Sequence, residues 1–344
     1  HFSAVKEKKH FELDDEEQKF SQAEVLVKNF LPLEYITNIN NFGILIPNKP
    51  KQMQIKLPYT AQITRNTPTA FIFLIDHSVS MQNKTTLYGE EMTKAEAAAR
   101  IVNAQINELV LRCIKMEDTR HYYDIAVIGY GEKAYSGWQG ELEGRDFVSP
   151  EELKNHPYTK IITRKEIRTR KGVQIKEIEQ VQWITARHDG SWTHYHAAFD
   201  YAKELLDKWM TKHHEQDCYP PTIIHITDGW FNHASLDTVT QKANELKAMF
   251  TNDGNVILFN IHFTADKDAT PIACPISKLE LDDDYSKALF DMSSLLPERY
   301  NADIARCLND TRDGRHVAMG INADASTLIK LMDIGTPTNI SQNK

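Results

Sequence analysis

The sequence has no long apolar run and no excess of positive charge, and each absence excludes a class of protein. The longest purely apolar stretch, residues 70–75, is far shorter than the roughly 20 residues that span a bilayer. The 344 residues carry 40 Lys and Arg against 48 Asp and Glu, a net charge of −8. A transmembrane helix is therefore not predicted, and salt-driven binding to nucleic acid or anionic lipid is disfavoured.

Cysteine is also scarce. The four cysteines (Cys113, Cys218, Cys274 and Cys307) form no Cys-x-x-Cys pair and do not resemble a disulfide framework. We therefore expect a reducing compartment and a cytoplasmic location. With 14 Gly, 13 Pro and 41% hydrophobic residues, the composition is that of an ordinary globular protein rather than a fibrous or disordered one.

The chain is long enough for about two domains. Residues 1–67 begin with a charged arm and continue as short apolar segments separated by prolines, which predicts a small β-rich N-terminal extension. Residues 68–336 form the predicted main domain, and residues 337–344 a short C-terminal tail.

The main domain alternates apolar runs with helical patterns. Residues 70–76, 123–129, 222–228 and 256–263 look like strands buried on both faces. Residues 94–113, 194–210 and 236–250 have apolar residues at helical spacing. This alternation predicts an α/β fold with a doubly wound, mostly parallel sheet.

Residues 132–183 interrupt the alternation and predict an inserted β-hairpin, with strand-like pieces at 160–167 and 173–178. Residues 160–176 carry seven basic side chains against Glu166 alone. A solvated hairpin edge that charge keeps soluble is the favoured interpretation. Docking to an acidic partner or to RNA is the alternative.

Oxygen-bearing side chains follow the predicted strands. Asp76, Ser78 and Ser80 alternate in the loop after the first strand, Asp228 ends a later strand, and Thr193 directly precedes a helix. Ligands bind at the carboxyl edge of an open α/β sheet. Because all five donors are oxygens, the matching guest is a hard cation such as Mg²⁺, Mn²⁺ or Ca²⁺.

At these residues the chain resembles the von Willebrand factor type A (vWA) family, of an intracellular bacterial type. The family's metal-ion-dependent adhesion site has a D-x-S-x-S loop, a distal threonine and a distal aspartate. These correspond to Asp76, Ser78, Ser80, Thr193 and Asp228, in the family's order. The resemblance covers about residues 68–336 and implies a Rossmann-like vWA fold.

The chain also departs from the family's pattern. Ser191 and Trp192 stand where the family usually has small residues, and the connection 81–93 is longer than expected. We expect partner specificity to lie in such departures, with His77, Trp192 and His194 as candidate partner contacts.

The resemblance implies a binding module or scaffold rather than an enzyme. Its metal, Mg²⁺ or else Mn²⁺ or Ca²⁺, would be completed by an Asp or Glu of a protein partner. The implied setting is an intracellular stress-response or defence system, with an ATPase, kinase or phosphatase component as partner. A secreted or surface adhesin with the same site, or a metal-dependent hydrolase, remains an alternative.

Other chemistries are weaker. Asp76, His77 and Ser78 are adjacent, which does not suit a catalytic triad, and no G-x-S-x-G elbow is present. His194 and His196, near His188, are expected to face different ways, which argues against zinc. The acidic run 282–284 lacks the glycine and distal glutamate of an EF-hand, and no phosphate-binding glycine loop occurs.

Overall fold

The computed structural model describes residues 59–169, 172–188, 192–229, 234–266 and 268–336. These residues belong to one compact unit, Lys56–Lys344. Most of the predicted N-terminal extension, residues 1–58, and the predicted tail, residues 337–344, lie outside the described residues.

Strands and helices alternate through most of the described chain. The strands are β1 (Thr69–Asp76), β2 (Lys84–Leu87), β3 (Glu90–Thr93), β4 (Ile114–Lys115), β5 (Asp118–Thr119), β6 (Tyr123–Tyr130), β7 (Ala134–Ser136), β8 (Thr159–Thr169), β9 (Gly172–Gln182), β10 (Thr222–Thr227), β11 (Phe250–Thr251), β12 (Gly254–Asn255), β13 (Ile257–Phe263), β14 (Ile272–Ala273) and β15 (Met319–Ala323). The α-helices are α1 (Lys94–Cys113), α2 (Pro150–Asn155), α3 (Tyr195–Lys212), α4 (Leu236–Ala248), α5 (Asp284–Met292), α6 (Asn301–Leu308) and α7 (Ala325–Gly335).

The main sheet has seven strands in the order β14-β15-β13-β10-β1-β6-β7. The five inner strands run parallel, and both edge strands, β7 and β14, are antiparallel to their neighbours. From β1 the chain first adds strands on one side and then returns to add β10, β13 and β15 on the other. The predicted doubly wound α/β fold is confirmed, with its topological switch point between β1 and β10.

Strand β1 is central because all eight of its residues are apolar or bury their polar group, and all are buried. Phe71, Phe73 and Ile75 pack in a core with helices α1, α6 and α7. Ile72 and Leu74 face a second core with helices α3, α4 and α5. Helices thus cover both faces, which is the arrangement that a continuous apolar strand requires.

Four hairpins of the described chain stand apart from this sheet, and the two longest are β2–β3 and β8–β9. Strands β2 and β3 pair in the connection 81–93 that the sequence marks as long, and Thr93 then caps α1 in a capping box with Glu96. Strands β8 and β9 pair over eleven residues each and contain the pieces 160–167 and 173–178 that we predicted as strands.

The remaining expectations concern cysteines and membranes. All four cysteines are free, and three of them are buried. Among the described residues, no helix combines the length and the apolar character needed to cross a bilayer.

Candidate metal centre

The two predicted carboxylates meet at the switch point of the sheet. Asp76 is the last residue of β1, and Asp228 directly follows β10. The two strands are parallel neighbours, with Ile75 opposite Ile226. Both carboxylates therefore leave the sheet at the same edge, where open α/β sheets bind their ligands.

Asp76 is fully buried and held at both oxygens. Its Oδ1 accepts the backbone N–H of Ser78 at 2.8 Å, and its Oδ2 accepts the hydroxyl of Thr227 at 2.8 Å. Burial raises the pKa of Asp76 to about 6; the hydrogen bond from Ser78 lowers it, and the nearby negative charge of Asp228 raises it further. The surroundings thus leave this carboxylate short of positive charge.

The serines join Asp76 to Asp228. Ser80 Oγ donates to Asp228 Oδ1 at 2.6 Å, and the Oγ atoms of Ser78 and Ser80 are 3.1 Å apart. The 3₁₀ turn Val79–Gln82 places these hydroxyls on one side of the loop. Four of the five predicted ligands therefore form one connected group of oxygens.

Thr193 lies at the same edge through its neighbours in the chain. It is buried, and the backbone N–H of the next residue, His194, donates to the carbonyl of Gly131 just beyond β6. Strand β6 is the neighbour of β1. This anchors the threonine loop beside the carboxyl end of β1.

Two tyrosines support the edge from behind. The hydroxyl of Tyr195 donates to Thr227 Oγ1 at 2.8 Å, and Thr227 in turn donates to Asp76. The hydroxyl of Tyr285 donates to the carbonyl of Gly229 at 2.9 Å, directly after Asp228. Helices α3 and α5 thus orient both carboxylate-bearing loops.

The structure adds Lys94, which the sequence analysis missed. Its ammonium forms an ion pair with Asp228 Oδ2, and both side chains are buried. A lysine at a helix start is ordinarily solvated, so the sequence carried no signal beyond the unusual length of the connection before it.

The residues present fit a hard divalent cation. Two buried carboxylates and two serine hydroxyls are connected, and the remaining carboxylate oxygen, Asp228 Oδ2, pairs with the Lys94 ammonium. No group of three or more His, Cys, Asp or Glu side chains suited to a metal occurs in the described part of the chain. Carboxylate and hydroxyl oxygens are the donors that Mg²⁺, Mn²⁺ and Ca²⁺ prefer.

The three candidate partner contacts differ in exposure. Trp192 is 59% exposed, whereas His77 is only 6% exposed and its Nδ1 lies 2.5 Å from the hydroxyl of Tyr135. The His77 ring packs against Tyr135 and leaves little of its surface to a partner. His194 is half-buried, with Nδ1 2.9 Å from the carbonyl of Glu132.

The expectation that His194 and His196 face different ways is wrong. Their ring centroids are 5.3 Å apart. His194 is the N-cap of α3 with φ −101° and ψ 79°, so the helical spacing on which the expectation rested begins only after it.

Comparisons with known proteins give distant likenesses. No protein-family model and no curated protein matches the sequence. Similar solved structures include proximal thread matrix protein 1 from the mussel byssus with a zinc-occupied MIDAS motif, at 15% identity and a TM-score of 0.37, covering 68% of this chain and 43% of that one. They also include a von Willebrand factor type A protein from Catenulispora acidiphila, at 12% identity and a TM-score of 0.34, covering 58% of this chain and 34% of that one.

A third similar structure is BatB from Bacteroides thetaiotaomicron, at 12% identity and a TM-score of 0.29, covering 57% of this chain and 66% of that one. This chain spans less than half the length of the other two proteins. Every one of these TM-scores is below 0.5, and the fold is defined by the sheet order of this chain itself.

Proposed function

We propose that the chain is a divalent-cation-dependent protein-binding module whose bound metal takes a carboxylate from a partner. The observation that carries the proposal is the connected oxygen group at the switch point, in which Ser80 bridges from Ser78 to Asp228 beside the buried Asp76. The vWA resemblance of the same residues, noted in the sequence, supports this proposal.

Five residues would hold the cation: Asp76, Ser78, Ser80, Thr193 and Asp228. A hard dication in such a site supplies an exchangeable coordination position that an incoming Asp or Glu can take. Mg²⁺ is the proposed metal, because hydroxyls and few carboxylates suit a small cation that keeps several waters. Mn²⁺ and Ca²⁺ share the same donor chemistry.

The exposed rim suits a protein partner. Val79, inside the D-x-S-x-S loop, is 57% exposed, and Trp192, next to Thr193, is 59% exposed. Large apolar side chains beside a coordination site add desolvated contact area, and tryptophan is enriched among residues that dominate binding energy. We therefore propose that Trp192 contacts the partner around the shared carboxylate.

Binding is proposed rather than catalysis because the histidine beside Asp228 has other roles. The Nδ1 of His262 accepts the backbone N–H of Asn322 at 3.2 Å, and its ring also bonds to the backbone of Asp228. Burial, and then the charge of Lys94, lowers the pKa of His262. A ring engaged in this way is poorly placed to take a proton from a metal-bound water.

A second part of the proposal concerns the cellular system in which the module binds its partner. Following the resemblance, we propose an intracellular multiprotein system of the bacterial stress-response or defence type. An ATPase, kinase or phosphatase component would supply the carboxylate. The proposal of a reducing compartment follows from the spacing of the four cysteines in the sequence.

The test is capture of partners from a native lysate on immobilised wild type, Asp76→Ala and Glu108→Ala. Each is run in Mg²⁺ and in EDTA, with mass-spectrometric identification. Glu108→Ala is the matched control, because it removes an exposed carboxylate in α1 14 residues beyond Lys94, about 21 Å along the helix. Circular dichroism verifies that each variant is folded.

We expect wild type and Glu108→Ala to retain one protein in Mg²⁺. That protein should be lost from both in EDTA, and Asp76→Ala should not retain it in either condition. A synthetic peptide from that protein, with its Asp or Glu changed to Asn or Gln, should then fail to compete. Equal retention in all arms would contradict the proposal.

A further inference from the structure

Lys94 is a buried cation at a position that ordinarily disfavours one. It is the first residue of α1 and is 5% exposed. The N-terminus of a helix carries partial positive charge, which repels a cation in the first turn. Lysine is almost never fully buried unless it is paired. Both the helix dipole and burial thus disfavour a charged ammonium group at this position.

The compensation comes from Asp228. The ammonium pairs with its Oδ2, and the side chain of Asp228 in this pair is 0% exposed. Asp228 is the one carboxylate that pairs with Lys94 among the described residues. The same carboxylate is a proposed metal ligand, and its other oxygen, Oδ1, accepts the hydroxyl of Ser80, which in turn contacts the hydroxyl of Ser78.

The backbone fixes Lys94 in this place. Its N–H donates to the carbonyl of Asn83 at 2.9 Å, at the base of the β2–β3 hairpin. The preceding residue, Thr93, caps the helix, and Glu96 completes the capping box at 2.7 Å from the N–H of Thr93. The long connection 81–93, which departs from the vWA pattern, therefore places the Lys94 ammonium at the site.

Building on the proposed function, we propose that Lys94 is a resident counter-cation that competes with the metal for Asp228 and thereby weakens the binding of divalent cations. With Asp76 and Asp228 negative and Lys94 positive, the group keeps one net negative charge rather than two. A metal must either displace the ammonium from Oδ2 or share the carboxylate with it. Like charges a few ångströms apart repel strongly where water is excluded.

A purely structural ion pair is the competing explanation. In that case removal of Lys94 leaves a buried carboxylate unpaired and destabilises the loop, but metal affinity does not increase. A direct measurement of metal affinity therefore separates the two explanations, because competition predicts tighter binding and a structural role does not.

The experiment is a Mn²⁺ titration of wild type, Lys94→Met and Lys115→Met, followed by the electron paramagnetic resonance signal of free Mn²⁺. Methionine keeps the length of the side chain and removes its charge. Lys115→Met is the matched control, because it makes the same charge change at an exposed position just beyond the far end of α1. Thermal unfolding in EDTA verifies the fold, and Lys94→Gln replaces Lys94→Met if the latter does not fold.

We expect Lys94→Met to bind Mn²⁺ about tenfold more tightly than wild type, equivalent to about 1.4 kcal/mol, and Lys115→Met to match wild type. Binding by Lys94→Met alone would also support the inference. Equal affinity in wild type and Lys94→Met would overturn it and leave the proposed metal site standing. Absence of Mn²⁺ binding from all three proteins would overturn both.

Discussion

Two buried aspartates at opposite ends of neighbouring strands have opposite electrostatic surroundings. Asp124 lies near the start of β6, and Asp76 ends β1. Asp124 accepts from His121 Nε2 at 2.7 Å and from Trp209 Nε1 at 2.9 Å. Burial raises the pKa of Asp124, but the bonds from His121 and Trp209 and the charge of His121 bring it below its usual value.

At Asp76 the balance is reversed. Burial dominates, its hydrogen-bond partners are neutral, and Asp228 adds a second negative charge, so the pKa is raised to about 6. Both aspartates sit on the same sheet with similar burial, so burial alone does not distinguish a structural carboxylate from a ligand. The difference lies in whether the protein itself supplies the compensating charge.

Loss of the compensated carboxylate should have the largest effect. Asp124→Ala leaves the buried indole N–H of Trp209 and the half-exposed His121 ring without their acceptor, and we expect a loss of about 3 kcal/mol in the free energy of unfolding. Urea denaturation at pH 7 measures it. The exposed Asp313→Ala is the control and should change stability by less than about 0.5 kcal/mol. A loss below about 1 kcal/mol for Asp124→Ala would break the comparison.

Asp76, the uncompensated carboxylate, should destabilise the fold when it is charged and no metal is bound. The pKa of Asp76 is raised from 3.8 to about 6, so its charged form destabilises the fold above pH 6, and that penalty is relieved as the pH falls towards 4. The full difference is roughly 3 kcal/mol. In EDTA, wild type should lose stability relative to Asp76→Asn as the pH rises from about 4 to about 7.

Urea denaturation of both proteins across this pH range makes the measurement, and the difference between them cancels other titrating groups. Addition of Mg²⁺ at pH 7.5 should stabilise wild type and leave Asp76→Asn nearly unchanged. Parallel pH profiles for the two proteins would contradict the assignment of Asp76 as an uncompensated carboxylate.

A smaller effect should come from the tyrosine behind the site. Tyr195→Phe removes the donor to Thr227, which itself donates to Asp76, and should cost about 1 kcal/mol of stability. It should also weaken Mn²⁺ binding several-fold, because Thr227 no longer holds Asp76 in one orientation. Tyr201 lies on the same helix as Tyr195, and its hydroxyl donates to Asp146. Tyr201→Phe is therefore the control and should leave Mn²⁺ affinity unchanged.

The sequence predicted the fold because buried strands carry a strong signal. Its continuous apolar runs correspond to β1, β6, β10 and β13. The meeting of Asp76 with Asp228 followed from the same reasoning, since the carboxyl ends of parallel strands share one edge. This part of the site depends on strand ends, which periodicity and composition locate.

What the sequence could not predict depends on tertiary packing. His77 is buried because Gly129 makes room for it; a Cβ at position 129 would lie 2.4 Å from the His77 ring. Lys94 is buried because a hairpin returns the chain to the sheet edge before α1 begins. Neither the space beside a glycine nor the path of a hairpin is encoded in a local pattern.

The central claim is that this sheet edge binds one divalent cation through its own oxygens. Isothermal titration calorimetry of Mg²⁺ into wild type, Asp76→Ala and Glu108→Ala tests it most directly. The account predicts one site per chain in wild type and in Glu108→Ala, and its loss in a folded Asp76→Ala. Binding of Mg²⁺ to Asp76→Ala with wild-type affinity, or its absence from wild type, would contradict the account.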